Sequence, residues 1–299
     1  MKTSRASLLV SLALSLLTGS HAEDVPVKGT VLDLRFTSEP SEALSKVARR
    51  WVENSAKAVA AYYGSLPAKK IVLRVSPTRG QSARGGHAND EGGTLGVTIA
   101  LGSDATEATL ADDWILTHEM LHLCFPSLPA RHHWLEEGLA TYVEPFARAR
   151  AGLITAEDAW AGLVEGAPKG QPKEDDRGLD GTPTWGRTYW GGAVFCLRAD
   201  VEIRRRTGNK KGLEHALRAI AAAGGTLDQF WKMDRVIAVA DGATGVPVFR
   251  ELYDEGKDKP VTVDLPALWK SLGIEVRGRT VRFHDDAPLA EIRKAITAP

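Results

Sequence analysis

The reading of this chain turns on Thr117-His118-Glu119-Met120-Leu121-His122, followed across a short connection by Trp134-Leu135-Glu136-Glu137-Gly138. Residues four apart on a helix stand one turn apart and about 40° around the axis. His118 and His122 can therefore turn both imidazoles to one metal ion. Glu119 projects from the neighbouring edge, where it reaches a water on the metal without displacing a ligand. A second helix carrying Glu137 supplies a third ligand and leaves a fourth position open. Such a site is catalytic rather than structural, and the expected ion is one Zn²⁺ per chain.

The surroundings of the motif read as follows. The stretch Ala108–Phe125 is expected to be one helix, with Leu110, Trp114, Leu121 and Phe125 recurring at helical spacing, and Pro126 and Pro129 stop it. Asp112 and Asp113 fall on its wet face, and His132 and His133 are spare surface imidazoles. On the second helix Glu144 follows Glu137 by two turns on nearly the same face. It is placed to accept the free ring N–H of a ligating histidine, with Thr141 the rival and a solvated helix-end carboxylate the plainer reading. Glu136 points about 100° away from Glu137, toward a cleft rim. Gly138 and Ala140 are small enough to let this helix approach the histidine helix.

Composition narrows the class. Met1 to Ala22 reads as a signal peptide, with Lys2 and Arg5 before the apolar run Leu8–Leu17 and small residues at Ser20 and Ala22. Cleavage after about Ala22 implies a secreted or periplasmic protein. The run is too short to span a bilayer, and no later run approaches that length. Basic and acidic residues number 38 each, and losing Lys2 and Arg5 tips the balance slightly acidic, which excludes a nucleic-acid partner or an anionic membrane as the expectation. Cys124 and Cys196 cannot form a four-thiolate metal site, and their spacing is no redox motif. In an oxidising compartment they can pair, joining the histidine helix to a later one; two buried thiols are the alternative.

Residues 23–299 form one domain in this reading. An N-terminal α/β lobe (23–107) holds a helix over 41–63, a strand Lys70–Val75, a Gly-rich loop Thr78–Gly93 and a strand Thr94–Leu101. A helical metal-binding lobe follows (108–225), interrupted by the polar loop Gly166–Thr184. The C-terminal extension (226–299) carries helices near Phe249–Tyr253, Leu265–Leu272 and Pro288–Ile296 and a short strand near Thr280–Phe283. A small mixed sheet before a helical, metal-carrying half is an α+β plan.

The segment Trp134-Leu135-Glu136-Glu137-Gly138-Leu139-Ala140-Thr141-Tyr142-Val143-Glu144 resembles the W-L-x-E-G-x-A-x-Y-x-E helix of gluzincin peptidases, notably the aminopeptidase N and glycyl aminopeptidase families. Tyr189-Trp190-Gly191-Gly192-Ala193 resembles the Y-x-x-G-A that opens a later helix in them, and the resemblance extends over most of residues 41–275. It implies a zincin, thermolysin-like fold, with Glu137 rather than Glu136 as third zinc ligand and Tyr189 as donor to the oxyanion. The chain departs from the family in two ways. Fourteen residues separate His122 from Glu137, fewer than in aminopeptidase N. The G-A-M-E-N segment that reads a substrate's free amine is replaced by Gly85-Gly86-His87-Ala88-Asn89-Asp90-Glu91-Gly92-Gly93. A metzincin fits worse, because Phe125 and Leu128 stand where that class needs a glycine and a histidine.

The implied activity is a secreted metallopeptidase acting on peptides or proteins, with Glu119 as general base and Tyr189 as the second catalytic group. A catalytically silent zincin-fold binding protein and a zinc hydrolase of a non-peptide substrate are the rivals. Strand Thr94–Leu101 is expected to present the sheet edge that holds substrate, so that internal bonds are cut and N-acetylation barely matters. A strict aminopeptidase would instead use Glu91 or Glu136 to bind the amine.

Overall fold

The computed structural model describes residues 22–299; the signal-peptide expectation, Ala22 apart, falls on residues outside that range. The chain opens with a hairpin, β1 (Ala22–Val27) and β2 (Thr30–Phe36), turned by Lys28 and Gly29, both at positive φ. Helix α1 (Glu42–Tyr63) starts where the Ser41 hydroxyl accepts from Leu44 N (3.1 Å) and ends at left-handed Gly64. Its buried stripe, including Leu44, Trp51, Val52 and Val59, packs on the core.

Three further strands complete the sheet: β3 (Lys70–Thr78), β4 (Ala83–Asp90) and β5 (Leu95–Gly102), in the order β1-β2-β3-β5-β4. Two features of the sheet differ from the sequence expectation. The supposed loop Thr78–Gly93 contains β4, a strand with a register shift between Arg84 and His87. The supposed edge, β5, is internal: it pairs parallel with β3 and antiparallel with β4. The sheet edges are β1 and β4, and β4 is the one beside α3. Its hairpin to β5 closes through Gly92 and Gly93, both left-handed, between Glu91 and Thr94.

The expected helix over 108–125 is also broken. It is a single turn, α2 (Glu107–Leu110), and then α3 (Ile115–His122). The reason is Asp113, whose carboxylate accepts from Leu116 N (3.4 Å) and from Trp51 Nε1 (3.0 Å). Rather than lying on a wet face, it caps α3 and ties it to α1, and burial raises its pKa.

Helix α4 (His133–Arg150) and α5 (Ala156–Gly166) follow. A wide turn, Gly186–Gly191, then runs straight into α6 (Gly192–Arg206). Gly138 of α4 lies against the backbone of Gly192: a Cβ on Gly138 would stand 2.3 Å from Gly192 Cα. The small residue thus serves the α4–α6 contact, not the histidine helix as expected. Behind it, buried Tyr142 donates to Asp200, which also holds Arg204, itself paired with Glu214 at 2.7 Å.

The rest is α7 (Leu213–Ala222), α8 (Met233–Thr244), α9 (Val248–Gly256), α10 (Leu265–Leu272), a ribbon of β6 (Ile274–Arg277) and β7 (Thr280–Phe283), and α11 (Ala290–Thr297). Arg150 at the end of α4 donates to the Ile296 carbonyl, and buried Arg293 donates to those of Leu272 and Gly273. The C-terminal elements are thereby fastened to the helix that carries Glu137. No helix among the described residues is long and apolar enough to cross a membrane. Cys124 and Cys196 are both free and buried, so the bridge is not formed. Apolar burial pushes both thiols up, which keeps them protonated and inert.

Candidate active site

Helix α3 is short, and its inner face (Leu116, Met120, Leu121) is fully buried. That anchoring turns His118 and His122 toward α4, their rings 4.9 Å apart and nearly perpendicular. Glu137, on the second turn of α4, brings Oε2 to 3.1 Å from His118 Nε2 and 3.5 Å from His122 Nε2. All three ligand atoms lie within 4.8 Å of one another. Burial alone would raise the Glu137 pKa, but the two imidazoles hold it well below the carboxylate range. His122 answers in the other direction: burial opposes its charge, and Glu137, Glu119 and Glu136 outweigh it to raise its pKa.

These residues fit zinc. Two imidazole nitrogens and one carboxylate oxygen are the donors that zinc takes in catalytic sites. They open into a cleft of about 410 Å³ that also contains Glu119 and Glu136, and no lysine or arginine among the described residues lines it. A cleft with three carboxylates and no fixed cation favours a divalent cation electrostatically.

Glu119 is held from the sheet side. Its Oε2 accepts from the backbone N–H of Ala88 on β4 at 3.0 Å. Gly86 allows the approach, since a Cβ there would stand 2.4 Å from Glu119 Cγ. Tyr189 comes from the wide turn Gly186–Gly191, where the Gly192 N–H reaches back to the Arg187 carbonyl, five residues earlier. Its ring stacks on His118 at 6.3 Å and 20°. Burial first, and then the charges of Glu137 and Glu119, raise its pKa.

The flanking candidates divide. Glu144 is buried, but its Oε1 takes Arg148 at 3.1 Å rather than a histidine ring. Burial pushes its pKa up to about 7 despite Arg148. Thr141 is half-buried and lines a second cavity beside His118. Neither bonds a ligating imidazole among the described residues. Glu136 lines the cleft, as expected, and is engaged there: it accepts from Leu128 N (2.7 Å) and His133 Nδ1 (2.7 Å), bracing the shortened loop between the two helices. His132 is buried rather than on the surface, bonded to Asp180 at 3.0 Å, and Asp180 also accepts from Trp134 and Tyr253. His133 remains exposed, yet its Nε2 lies 3.4 Å from Glu137 Oε1. Sequence reasoning missed it, although its spacing of four from Glu137 was a usable signal. The grip of Ala88 had no sequence signal, because a backbone N–H carries none.

No protein-family profile matches this chain, and no curated protein matches it in sequence. Solved structures do match in shape. A protein of the aminopeptidase N family from Idiomarina loihiensis superposes with a TM-score of 0.63 at 13% identity, over 86% of this chain and 50% of that one. An M1 zinc metallopeptidase from Deinococcus radiodurans, solved as a mutant with a Tyr-Ser-Ala substrate, gives 0.52 at 14% identity, over 83% and 54%. A two-domain M1 zinc metallopeptidase bound to L-arginine gives 0.54 at 15% identity, over 83% and 53%. The chain spans about half the length of each. The five-stranded sheet, the helix of paired histidines and the helix of Glu137 give this α+β chain the fold of the aminopeptidase N-family and M1 zinc metallopeptidase structures.

Proposed function

We propose that the protein is an exported zinc metallopeptidase that cuts internal peptide bonds. The observation that carries the proposal is the convergence of His118, His122 and Glu137 beside a Glu119 carboxylate that the sheet edge holds in place. Zinc bound there would polarise the scissile carbonyl and lower the pKa of a water toward about 7.

The chain's own groups do the rest. Ala88 occupies one oxygen of Glu119, which leaves the other to take the proton of the attacking water and to deliver it to the leaving amine. Tyr189, its pKa raised, stays protonated at neutral pH and donates to the developing oxyanion. Losing one such donor costs about 3 kcal/mol of transition-state stabilisation. Strand β4 offers its outer backbone to an extended peptide.

Internal cleavage is favoured because both carboxylates available to bind a free amine are engaged. Glu91 pairs with Arg74 at 2.6 Å, and Glu136 braces the loop. Export rests on the sequence of residues 1–22 and is checked by N-terminal sequencing of protein from the culture medium or periplasm.

The test is a library of free and N-acetylated peptides incubated with zinc-loaded protein and with Glu119→Gln. The expected result is internal cuts in both sets, slowed at least a hundredfold in the variant. Release of single N-terminal residues, abolished by acetylation, would refute internal cleavage; equal turnover by the variant would remove Glu119 as base.

A further inference from the structure

Beside the cleft lies a second cavity of about 470 Å³, which shares Trp114, His118 and Tyr189 with it. Its walls are aromatic. Trp114 meets the His118 ring edge-on at 5.5 Å, and Trp185 lies against Tyr189 at 6.0 Å. Both indoles face solvent, 51% and 62% exposed, and they are two of only four large apolar side chains so exposed among the described residues. Trp190 and Leu163 continue the wall inward. Exposed indoles beside a catalytic cleft mark a surface that is covered when a ligand is bound.

Charge decides the ligand class. Both signs of charge stand at the cavity wall, Glu144 against an acidic side chain and Lys169 against a basic one, so neither enters unopposed. The Glu144 carboxylate is paired with Arg148. Lys169 Nζ sits 5.4 Å from the centre of the Trp190 ring, the place a substrate cation would take, and it repels a second cation. The volume is within the range of about 300–1,000 Å³ found for sites that enclose small ligands, more room than a methyl or isopropyl group requires.

We propose that this cavity is the side-chain subsite that sets sequence preference, receiving a large uncharged side chain (aromatic, Leu or Met) of the residue adjoining the cut bond. This rests on the metallopeptidase reading. Trp185 is a specificity-determining residue in it, and Lys169 excludes Lys and Arg from the same position.

The experiment sequences the cleavage sites of a peptide library cut by zinc-loaded full-length protein. One position beside the cut should be enriched in Phe, Tyr, Trp, Leu and Met, with Lys and Arg at least tenfold depleted. Trp185→Ala should lower kcat/KM about tenfold more for peptides with Phe there than for those with Ala. Lys169→Glu should admit Lys and Arg. Both side chains are exposed, so neither change threatens the fold. Cleavage without this preference, or a preference that neither variant moves, overturns the subsite and leaves the peptidase reading intact. If no peptide is cut, the peptidase reading fails, and binding decides the subsite by itself. N-acetyl-phenylalaninamide should then quench tryptophan fluorescence in the wild type and not in Trp185→Ala, with N-acetyl-lysinamide inactive; equal or absent responses overturn it.

Discussion

Replacing Gly138 with alanine tests how the metal helix is seated. The added Cβ would stand 2.3 Å from Gly192 Cα and carbonyl carbon and 2.8 Å from Ala193 N. Ordinary carbon contacts are about 3.5–4.0 Å, so α4 and α6 must part by about 1 Å or more. Every clashing atom is backbone, and none can rotate away. Overpacking of this kind costs about 1–3 kcal/mol, and the geometry places this case at the upper end. The same change gains up to about 1 kcal/mol of helix propensity. The net expectation is a loss of about 2 kcal/mol and a fall in Tm of about 5 °C. Gly242→Ala in α8 is the matched control, because a Cβ there meets nothing within 4 Å; it should stabilise by up to about 1 kcal/mol. Urea unfolding of both variants reads the difference, and zinc titration reads its consequence. Glu137 adjoins the moved residue, so zinc should bind at least tenfold more weakly. If Gly138→Ala proves as stable as Gly242→Ala and holds zinc as well, the close α4–α6 seat is refuted.

Other outcomes follow from the same geometry. Purified protein should carry near-stoichiometric zinc by elemental analysis, and Glu137→Gln should remove most of it while Glu136→Gln does not; the reverse would mean that the register of α4 is wrong by one. Alkylation without reductant should label neither cysteine in the native protein and both after unfolding, whereas protection that persists in urea would restore the disulfide. Asp33 is held at about 2 by the Arg35 hydrogen bond and by Lys70, against burial. Its pKa is depressed, so its contribution is present above about pH 4 and lost as pH falls toward 2. With Arg35 and Lys70 40% and 55% exposed, screening reduces that contribution to about 1 kcal/mol. Asp33→Asn should therefore cost about that much at pH 7 and nothing near pH 2; a constant difference would refute the assignment.

The helical half was legible because its signals are local. The four-residue spacing of His118 and His122 and the Trp134–Glu144 motif each lie on one element, and periodicity placed them correctly. The sheet was harder. Strand β4 hid because Gly85 and Gly86 leave no alternation to read, yet Gly86 is bare because Glu119 lies against it, and Gly85 takes a positive φ. Strand β5 looked like an edge because sequence carries no record of which strands flank it. The break before α3 could have been found, since Asp113 before an apolar run is a capping signal. Glu144 was misassigned for another reason: helical spacing shows that it shares a face with Glu137 but not that Arg148, one turn on, would claim it.

The wide turn that carries Tyr189 holds one residue more than the regular helix that follows it would need. One residue less would let 186–206 wind as an ordinary α-helix, and everything before the deletion would swing about 100° around the axis relative to α6. Tyr189 would then leave the face of His118 while every residue type of the motif stayed in the chain. Alignments that match residue types without allowing a one-residue gap between Gly186 and Gly192 will misjudge which related chains keep this tyrosine against the histidine. Natural indels at this point would separate chains that retain the hydroxyl in the cleft from chains that have only its letter.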